Sequence, residues 1–334
     1  GVSGYTITPD GTVVYAAYDD GTYDLRTQDD QLTDGDGDIT SPRWLQGRES
    51  ILAYRDEHGT EQFDLLEIDP ETGAITPALA DQFLNFKARQ HPTDPNRIAF
   101  LSNRDRSLDL YTLDLDDGAV TKRSEADDPV LGYAWSPDGQ RLVYQAGTFE
   151  DSALRLVDLQ LERDDVFIDE PGSEQSFAFT DDGYGAWSEH GIVFTTNHET
   201  GYRELAVADD DGDYELRYVN SRDKYDPQWT TDGDIVFLEA RGGDRRLRVL
   251  SDGEVTTVEA TGMNMDVKAI DGDVYYKHWS PVTAGDIKRD GTTVVGEGQV
   301  DVQTVAPEEV TYQSFDGQEI AGRLYQPEGD PIGG

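Results

Sequence analysis

The stretch Tyr133-Ala-Trp-Ser-Pro-Asp-Gly-Gln-Arg-Leu-Val-Tyr144 decides the fold of this chain. It starts as an aromatic-rich strand, turns at Ser-Pro-Asp-Gly and continues as an alternating apolar strand. Gly supplies the positive φ angle of such a turn, and Asp hydrogen-bonds the backbone that follows it. The stretch therefore predicts a β-hairpin whose Ser, Pro, Asp and Gly have a structural role.

Copies of this hairpin recur along the chain. The two clearest, which keep the Asp-Gly turn and the apolar strand after it, are residues 5–15 and 227–237. The weaker copies are residues 42–47, 89–96 with 98–100, 177–183, and 267–272 with 274–276. The landmarks Gly11, Gly47, Asn96, Gly139, Gly183, Gly233 and Gly272 mark seven copies spaced 36 to 50 residues apart. This spacing is typical of the blades of a β-propeller.

Each repeat has the pattern of four short strands. In one repeat, residues 97–102 form the predicted strand that follows the turn, residues 108–115 form the next strand, and residues 119–123 form a fourth, edge-like strand. The sequence therefore predicts an all-β fold, a seven-bladed β-propeller of four-stranded antiparallel blades spanning residues 1–304. Because both faces of each blade are covered, we expect the strands to alternate less cleanly than in a one-sided sheet. Trp44, Trp135 and Trp229 are interpreted as packing residues between neighbouring blades, not as ligand sites.

Acidic residues dominate the charge of the chain. The 69 Asp and Glu against 27 Lys and Arg give a net charge of -42, and only six of the 27 bases are Lys. Disorder is the competing interpretation for so charged a chain, but five Trp, 17 Tyr and 11 Phe favour a folded core. Because the acids are spread along the whole chain and Arg is retained over Lys, we interpret the composition as that of a salt-adapted protein.

The same composition excludes several classes of partner. An acidic surface argues against nucleic acid and anionic membranes, both of which require a basic face. Zero Cys excludes disulfides, thiol catalysis and Cys-ligated zinc. We find neither an apolar run of about 18 residues nor a signal peptide, and we expect a soluble, cytoplasmic protein. A homo-oligomer is compatible with the sequence.

The end of the sequence carries a resemblance to a known family. Repeated Trp-Ser-Pro-Asp-Gly units resemble the propellers of the TolB and prolyl oligopeptidase groups. Residues 310–327, Val-Thr-Tyr-Gln-Ser-Phe-Asp-Gly-Gln-Glu-Ile-Ala-Gly-Arg-Leu-Tyr-Gln-Pro, resemble the first hairpin of the α/β-hydrolase domain in prolyl oligopeptidase family serine peptidases, which include acylaminoacyl peptidases. The resemblance implies a linker and the start of a truncated peptidase domain at residues 305–334. Together with the acidic composition, it leads us to expect a haloarchaeal type of protein.

Catalytic chemistry is missing from these 334 residues. A hydrolase of this class needs a Gly-x-Ser-x-Gly elbow, and none is present. Ser136 and the pair Ser188 and His190 are the nearest lookalikes, and they lack the flanking glycines. We assign no catalytic or cofactor-binding residue and expect the catalytic triad beyond Gly334.

Metal sites are the other candidate chemistry. Residues 34–38 and 209–213 crowd carboxylates in Gly-containing turns, as calcium favours, but neither completes a known calcium loop. The five His residues, at positions 58, 91, 190, 198 and 278, show no helical pairing for zinc. We interpret the acidic turns as solvated and assign no metal ligand and no cofactor.

Two hypotheses for function remain. In the first, the propeller is the non-catalytic domain of a serine oligopeptidase or acylaminoacyl peptidase and restricts the access of peptides to the hydrolase domain. In the second, it is an autonomous TolB-like scaffold that binds a protein or ligand. We favour the first, because a standalone propeller needs no hairpin at residues 310–327.

Overall fold

The computed structural model describes residues 2–19, 21–34, 37–57, 59–177, 185–281, 283–296, 307–315, 317 and 319–326. Within these ranges every regular element is a β-strand. None of them is a helix that could cross a membrane. The predicted all-β fold is confirmed.

The strands form successive antiparallel sheets that follow the chain. Sheet 1 consists of β1 (Val2–Ile7), β2 (Val13–Asp19) and β3 (Thr22–Arg26). Sheet 2 consists of β4 (Asp38–Leu45), β5 (Ser50–Asp56), β6 (Asp64–Ile68) and β7 (Ile75–Leu79). Sheet 3 consists of β8 (Asn85–Gln90), β9 (Arg97–Ser102), β10 (Asp109–Asp114) and β11 (Val120–Lys122). Sheet 4 consists of β12 (Val130–Trp135), β13 (Arg141–Gly147), β14 (Ser152–Asp158) and β15 (Arg163–Ile168).

The second half of the chain repeats the arrangement. Sheet 5 consists of β16 (Gln175–Ser176), β17 (Trp187–Ser188), β18 (Gly191–Thr196), β19 (Glu204–Ala208) and β20 (Tyr214–Tyr218), with β16 and β17 both paired to β18. Sheet 6 consists of β21 (Lys224–Trp229), β22 (Ile235–Arg241), β23 (Asp244–Ser251) and β24 (Glu254–Glu259). Sheet 7 consists of β25 (Met263–Ile270), β26 (Asp273–Ser280), β27 (Thr283–Arg289) and β28 (Thr292–Val295). A single parallel bridge between Arg245 and Met263 joins sheets 6 and 7. A separate hairpin, β29 (Glu308–Gln313) and β30 (Glu319–Leu324), follows.

The turn predicted at Ser136 to Gly139 is present between β12 and β13. The Gly139 N–H donates to the Ser136 carbonyl at 2.9 Å, and the Asp138 carboxylate accepts from the Gln140 N–H at 2.9 Å. Gly139 has a φ of 72°, and a β-carbon there would collide with the ring of His91. The turn therefore requires glycine both for its backbone angle and for its contact with sheet 3.

Apolar side chains fill the spaces between neighbouring sheets. One core cluster joins Ala16 and Leu25 of sheet 1 to Ile51 and Leu66 of sheet 2. Because both faces are covered, the central strands are buried almost continuously, as in the five consecutive buried residues that begin β5. Strands therefore alternate less cleanly than in a one-sided sheet, as predicted.

The first and last sheets also pack together. Val2 and Tyr5 of sheet 1 share a core cluster with Tyr275 and Ile287 of sheet 7. The Tyr5 hydroxyl donates to the Asp266 carbonyl at 2.7 Å across the same joint. Successive antiparallel sheets, most of them four-stranded, that return to the first are consistent with a β-propeller.

Some predicted features lie wholly or partly outside the described residues. They are most of the repeat copy at 177–183, including its landmark Gly183, two positions of the acidic turn at 34–38, His58, and parts of the segments 305–334 and 310–327. The remaining landmark residues all lie in or next to the turn between the first two strands of their sheets.

Candidate functional site: the central cavity

Five first strands share a β-bulge that the sequence analysis did not predict. The antiparallel register shifts in β1, β4, β8, β21 and β25. At each shift one residue has a φ between 50° and 86°; these residues are Gly4, Ser41, Lys87, Asp226 and Asp266. Such bulges turn the following side chains away from the regular alternation of a strand.

After four of these five bulges, the side chain two positions further along the strand makes hydrogen bonds with the next sheet. Gln228 donates to the Val267 carbonyl at 2.7 Å and accepts from the Ala269 N–H at 3.3 Å. The ammonium of Lys268 donates to the Tyr5 carbonyl and so joins sheet 7 to sheet 1. Equivalent bonds link Thr6 to Trp44 and Arg89 to Tyr133. We call these contacts the inner ring.

A cavity of about 660 Å³ lies inside the inner ring. Its wall comes from the first strands of sheets 1, 2, 3 and 7, from the adjoining turns, and from one turn residue of sheet 6. It is lined by Thr6, Ile7, Arg43, Trp44, Gln46, Gly47, Gln90, His91, Pro92, Thr93, Pro95, Thr231, Lys268, Ala269, Ile270 and Asp271. Because parts of five sheets meet at this central cavity, it is the strongest candidate for a binding site.

The central cavity lies at the end of the sheets that carries the turns between first and second strands. The hairpin β29–β30 contacts the opposite end, where Arg323 forms an ion pair with Asp244. Asp244 is the first residue of β23 and pairs with Arg241, at the far end of β22 from the turn that precedes Ile235. The cavity therefore lies at one end of the strands of the packed sheets, and the hairpin lies at the other end.

The electrostatics of the cavity wall differ from those of the chain as a whole. Arg43 and Lys268, 3% and 4% exposed, contribute two cations, and Asp271 contributes one carboxylate. His91 is neutral, because its Nδ1 accepts from the N–H groups of Thr93 and Asp94 and burial lowers its pKa. The lining residues thus carry two formal positive charges and one negative charge, in a protein whose net charge is -42.

The serine lookalikes have structural roles. Ser136 donates to the Asp138 carboxylate at 2.6 Å and accepts from the Arg141 N–H at 2.9 Å. The hydroxyl of Ser136 is the main cause of the lowered pKa of Asp138. Ser188 accepts from the backbone N–H of His190, not from its ring. Neither serine is brought together with a histidine base in the described contacts.

The acidic turn at 209–213 is held by its own backbone. The Asp209 carboxylate accepts from the N–H groups of Asp211 and Asp213, at 3.0 and 3.1 Å, and Asp210 pairs with Arg141 at 3.3 Å. In the part of the chain that the structure describes, no group of three or more His, Asp or Glu side chains could hold a metal ion.

The tryptophans pack against the preceding sheet, as predicted. Trp135 contacts the His91 ring at 4.7 Å, Trp229 contacts the His190 ring at 5.4 Å, and Trp44 packs on the cluster shared by sheets 1 and 2. The sequence did not reveal that Trp44 also lines the central cavity beside Arg43 and Lys268. The repeat alignment was the available signal, since it places these residues on first strands near the turn.

Comparison with known proteins places this architecture among propeller proteins. No known family description matches the chain. A TolB homolog of Chlorobium luteolum is 26% identical over 160 residues, which cover 47% of this chain and 35% of that protein.

Solved structures match almost the whole chain. A puromycin hydrolase superposes with a TM-score of 0.74 at 16% identity, covering 98% of this chain and 58% of the hydrolase. A prolyl endopeptidase gives 0.73 at 13% identity, covering 96% of this chain and 53% of that structure. A puromycin-hydrolyzing peptidase of Mycobacterium tuberculosis gives 0.74 at 13% identity, covering 98% and 60%. The chain therefore spans less than two thirds of these proteins, and at these identities the likeness establishes the fold alone.

Proposed function

We propose that the seven sheets are the blades of one closed propeller. This propeller is the non-catalytic domain of a serine peptidase of the prolyl oligopeptidase type. Its role is to control which peptides reach the hydrolase domain. The hairpin β29–β30 carries the proposal. The fold-level likeness of the whole chain to parts of longer peptidases supports the same assignment.

The hairpin has two chemically different faces. Tyr312 pairs with Ile320, and together with Leu324 they form an apolar face with exposures of 57%, 38% and 42%. On the other face Arg323 contacts Asp244 of sheet 6. A two-stranded sheet is marginal by itself, and an exposed apolar face calls for a cover. A hydrolase sheet continuing from β30 would supply that cover.

The selection of peptides follows from the dimensions of the central cavity. A volume of about 660 Å³ accommodates a short extended segment and excludes a folded domain. The closed ring of sheets limits widening, because the joint between sheets 1 and 7 is held by Tyr5 and Lys268. A peptide would therefore be admitted as an extended chain.

The test of the peptidase assignment uses this chain beside the full-length gene product. The 334-residue chain, which has no Gly-x-Ser-x-Gly, should neither label with a fluorophosphonate probe nor cleave chromogenic peptides. The full-length product should do both. Labelling of the 334-residue chain, or a full-length product without serine-peptidase activity, would contradict the proposal.

The gating role is tested at the joint of the ring. Tyr5→Phe removes the hydroxyl that bonds the Asp266 carbonyl, and it should raise the cleavage of long peptides relative to short ones in the full-length protein. Tyr133→Phe is the matched control, because Tyr133 bonds Lys87 and Ala99 between two sheets that the chain connects directly. An equal length preference in both variants would contradict gating by the propeller.

The alternative is an autonomous TolB-like scaffold, supported by the match to the TolB homolog. This alternative predicts that the full-length product has no hydrolase activity and binds a protein or a ligand. We also propose that the protein works in the cytoplasm of a salt-rich cell, without nucleic acid or membrane partners, because its net charge is -42.

A further inference from the structure

Buried polar side chains in the wall of the central cavity are already engaged by the protein. The Gln90 amide accepts from the Gln46 N–H at 2.8 Å and donates to the carbonyls of Gln46 and Pro95, at 2.9 and 3.0 Å. Both ring nitrogens of His91 bond backbone groups as well. These side chains hold the turns and the neighbouring sheets in place, so they are not available to a polar ligand.

The two cations of the wall are engaged in the same way. Lys268 is 4% exposed, and its ammonium donates to the Tyr5 carbonyl and lies 4.1 Å from the centre of the Tyr5 ring. Arg43 is 3% exposed and also has an interaction partner within the protein. Asp271, the single carboxylate among the lining residues, is exposed in the turn after β25. The lining residues therefore offer an anionic ligand no free cation, and they offer a cationic ligand only a solvated carboxylate.

Apolar surface is what the wall presents to a ligand. It comes from side chains of four sheets that line the cavity and are half-buried or exposed, namely Ile7, Trp44, Pro92, Pro95 and Ile270. A charged or strongly polar group that entered would lose water without finding a free partner on this surface. The wall therefore favours an uncharged apolar ligand.

We propose that the central cavity binds an uncharged apolar group, and that in the peptidase this group is an apolar side chain of an entering peptide. The second part rests on the proposed function, whereas the first part rests on the cavity alone. A cavity of about 660 Å³ has room for an apolar side chain together with the backbone on either side of it. The propeller then selects peptides by composition as well as by their extended form.

Four matched peptides test the chemistry of the site. They have the sequence acetyl-Ala-X-Ala-Ala-amide, in which X is Leu, Asn, Glu or Lys; the side chains of Leu and Asn have a similar shape, but only that of Leu is apolar. Calorimetric titration into the 334-residue chain in multimolar potassium chloride limits the long-range field of the acidic surface. We expect the Leu peptide to bind about tenfold more tightly than each of the other three. No measurable binding of the Leu peptide, or equal affinity for all four, would overturn the site.

A small molecule separates the two possible sources of an apolar group. Isocaproamide carries the Leu side chain without the flanking peptide backbone, and we expect it to bind about tenfold more weakly than the Leu peptide. Equal affinity would assign the same apolar site to a small molecule and contradict the peptide part of the proposal.

Substitutions test the assigned wall. Ile270→Thr keeps a β-branched side chain at the end of β25 but removes apolar surface, and it should weaken the binding of the Leu peptide by about fourfold. Val166→Thr makes the same kind of change on β15, at a position that is 56% exposed and does not line the cavity, so it should leave the affinity unchanged. Asp271→Asn should also leave it unchanged, because the Leu peptide carries no charge.

Two patterns of result would contradict the assignment. Equal affinities of the Ile270→Thr and Val166→Thr variants would place the bound peptide away from Ile270. Tighter binding of the Lys peptide than of the Leu peptide, lost in Asp271→Asn, would show that the cavity selects a cation. These measurements use binding by this chain, so they remain informative even if the full-length protein proves to have no peptidase activity.

Discussion

The first and the fourth strands of the sheets differ in which charged residues they carry and in how exposed these residues are. The first strands carry five basic residues (Arg43, Lys87, Arg89, Lys224 and Lys268) and three acidic ones (Asp38, Asp226 and Asp266), although the chain has 69 acids and 27 bases. Three of the six lysines therefore lie there. The fourth strands β15 and β24 consist almost entirely of exposed and half-buried residues.

The partners of these charges differ as well. On first strands, Lys87 donates to the Leu131 carbonyl at 2.8 Å and Lys268 donates to the Tyr5 carbonyl, so cations hold the backbone of the next sheet. On the fourth strand β15, Arg163 pairs with Asp165 at 2.6 Å, with side chains 62% and 58% exposed. Inner charges therefore hold neighbouring sheets together, whereas outer charges are solvated and open to screening by salt.

The largest expected effect is that of salt on the outer charges. At a net charge of -42 the folded chain concentrates repulsion that unfolding relieves, and the screening length falls from about 10 Å at 0.1 M salt to about 3 Å at 1 M. We expect the free energy of unfolding to rise by on the order of 5 kcal/mol between low and multimolar potassium chloride. Thermal midpoints in potassium chloride and in sodium chloride should rise alike.

A flat or falling midpoint would mean that the carboxylates are already neutralised, by bound cations or by pairing with Arg. The interpretation of the protein as salt-adapted would then be wrong. The contrast between first and fourth strands would also fail, because the exposed charges of the fourth strands would not respond to salt.

The next effect comes from a buried ion pair on a first strand. Lys224 and Glu204 are 0% and 1% exposed and bonded to each other. Lys224→Met leaves Glu204 buried without its cation and should cost about 3–5 kcal/mol in urea unfolding. Arg163→Ala in the exposed pair of β15 should cost less than about 1 kcal/mol.

Adding Glu204→Gln to Lys224→Met should recover part of the loss, because the double variant leaves no buried charge. The cost of Lys224→Met should persist in high salt, since buried pairs are screened little. A loss that vanishes in multimolar potassium chloride would show that this pair behaves like an outer one.

The sequence predicted the repeating hairpins and many of their strand limits. Residues 97–102 were predicted as a strand and form β9 with the same bounds. The reason is local, since the Asp-Gly turns and apolar strands that define a hairpin lie within about ten residues of one another.

The inner ring could not be predicted in the same way. The left-handed bulge residues include Ser41, Lys87 and Asp226, which share no side-chain type. Their backbone angles are set by contacts between sheets, as in the bonds of Gln228 to residues 39 and 41 positions away. Short-range sequence patterns do not predict such contacts between sheets, so they could not predict the wall of the central cavity either.

A smaller effect is expected from an amide in the inner ring. Gln228 is 1% exposed, and its amide satisfies both the Val267 carbonyl and the Ala269 N–H. Gln228→Ala should lower the free energy of unfolding by about 2–3 kcal/mol, because both backbone groups lose their partner. Gln160→Ala, which removes an exposed amide bonded to Gln140 at an outer turn, should cost less than about 0.5 kcal/mol. Equal losses in urea unfolding would mean that the inner ring holds the sheets no more firmly than the outer turns do.

The smallest effect concerns protonation at the rim of the central cavity. The Nδ1 of His91 accepts two backbone N–H groups, its Nε2 donates to the Gly139 carbonyl at 3.0 Å, and burial lowers its pKa from 6.5. The charged groups that face the ring are Arg97, Asp94 and Asp138. Protonation of Nδ1 would place a hydrogen against two donors, so the folded state holds the neutral ring.

The direction of the pH dependence follows from this lowered pKa. Between pH 6.5 and the lower pKa of the folded state, the unfolded chain binds the proton and the folded chain does not, so stability falls on acidification by at most about 1.4 kcal/mol per pH unit. His91→Asn should flatten this slope between pH 7 and about 5, because the side-chain oxygen of Asn can accept the same two N–H groups without titrating there. At pH 7 the variant should lose about 1 kcal/mol through its missing contact with Trp135. Asp138 and Asp10, whose pKa values are lowered from 3.8, affect stability only at more acidic pH. An undiminished slope in His91→Asn, measured by urea unfolding at fixed potassium chloride, would place the titrating group elsewhere. The next candidate would be His278 of β26, whose pKa burial also lowers.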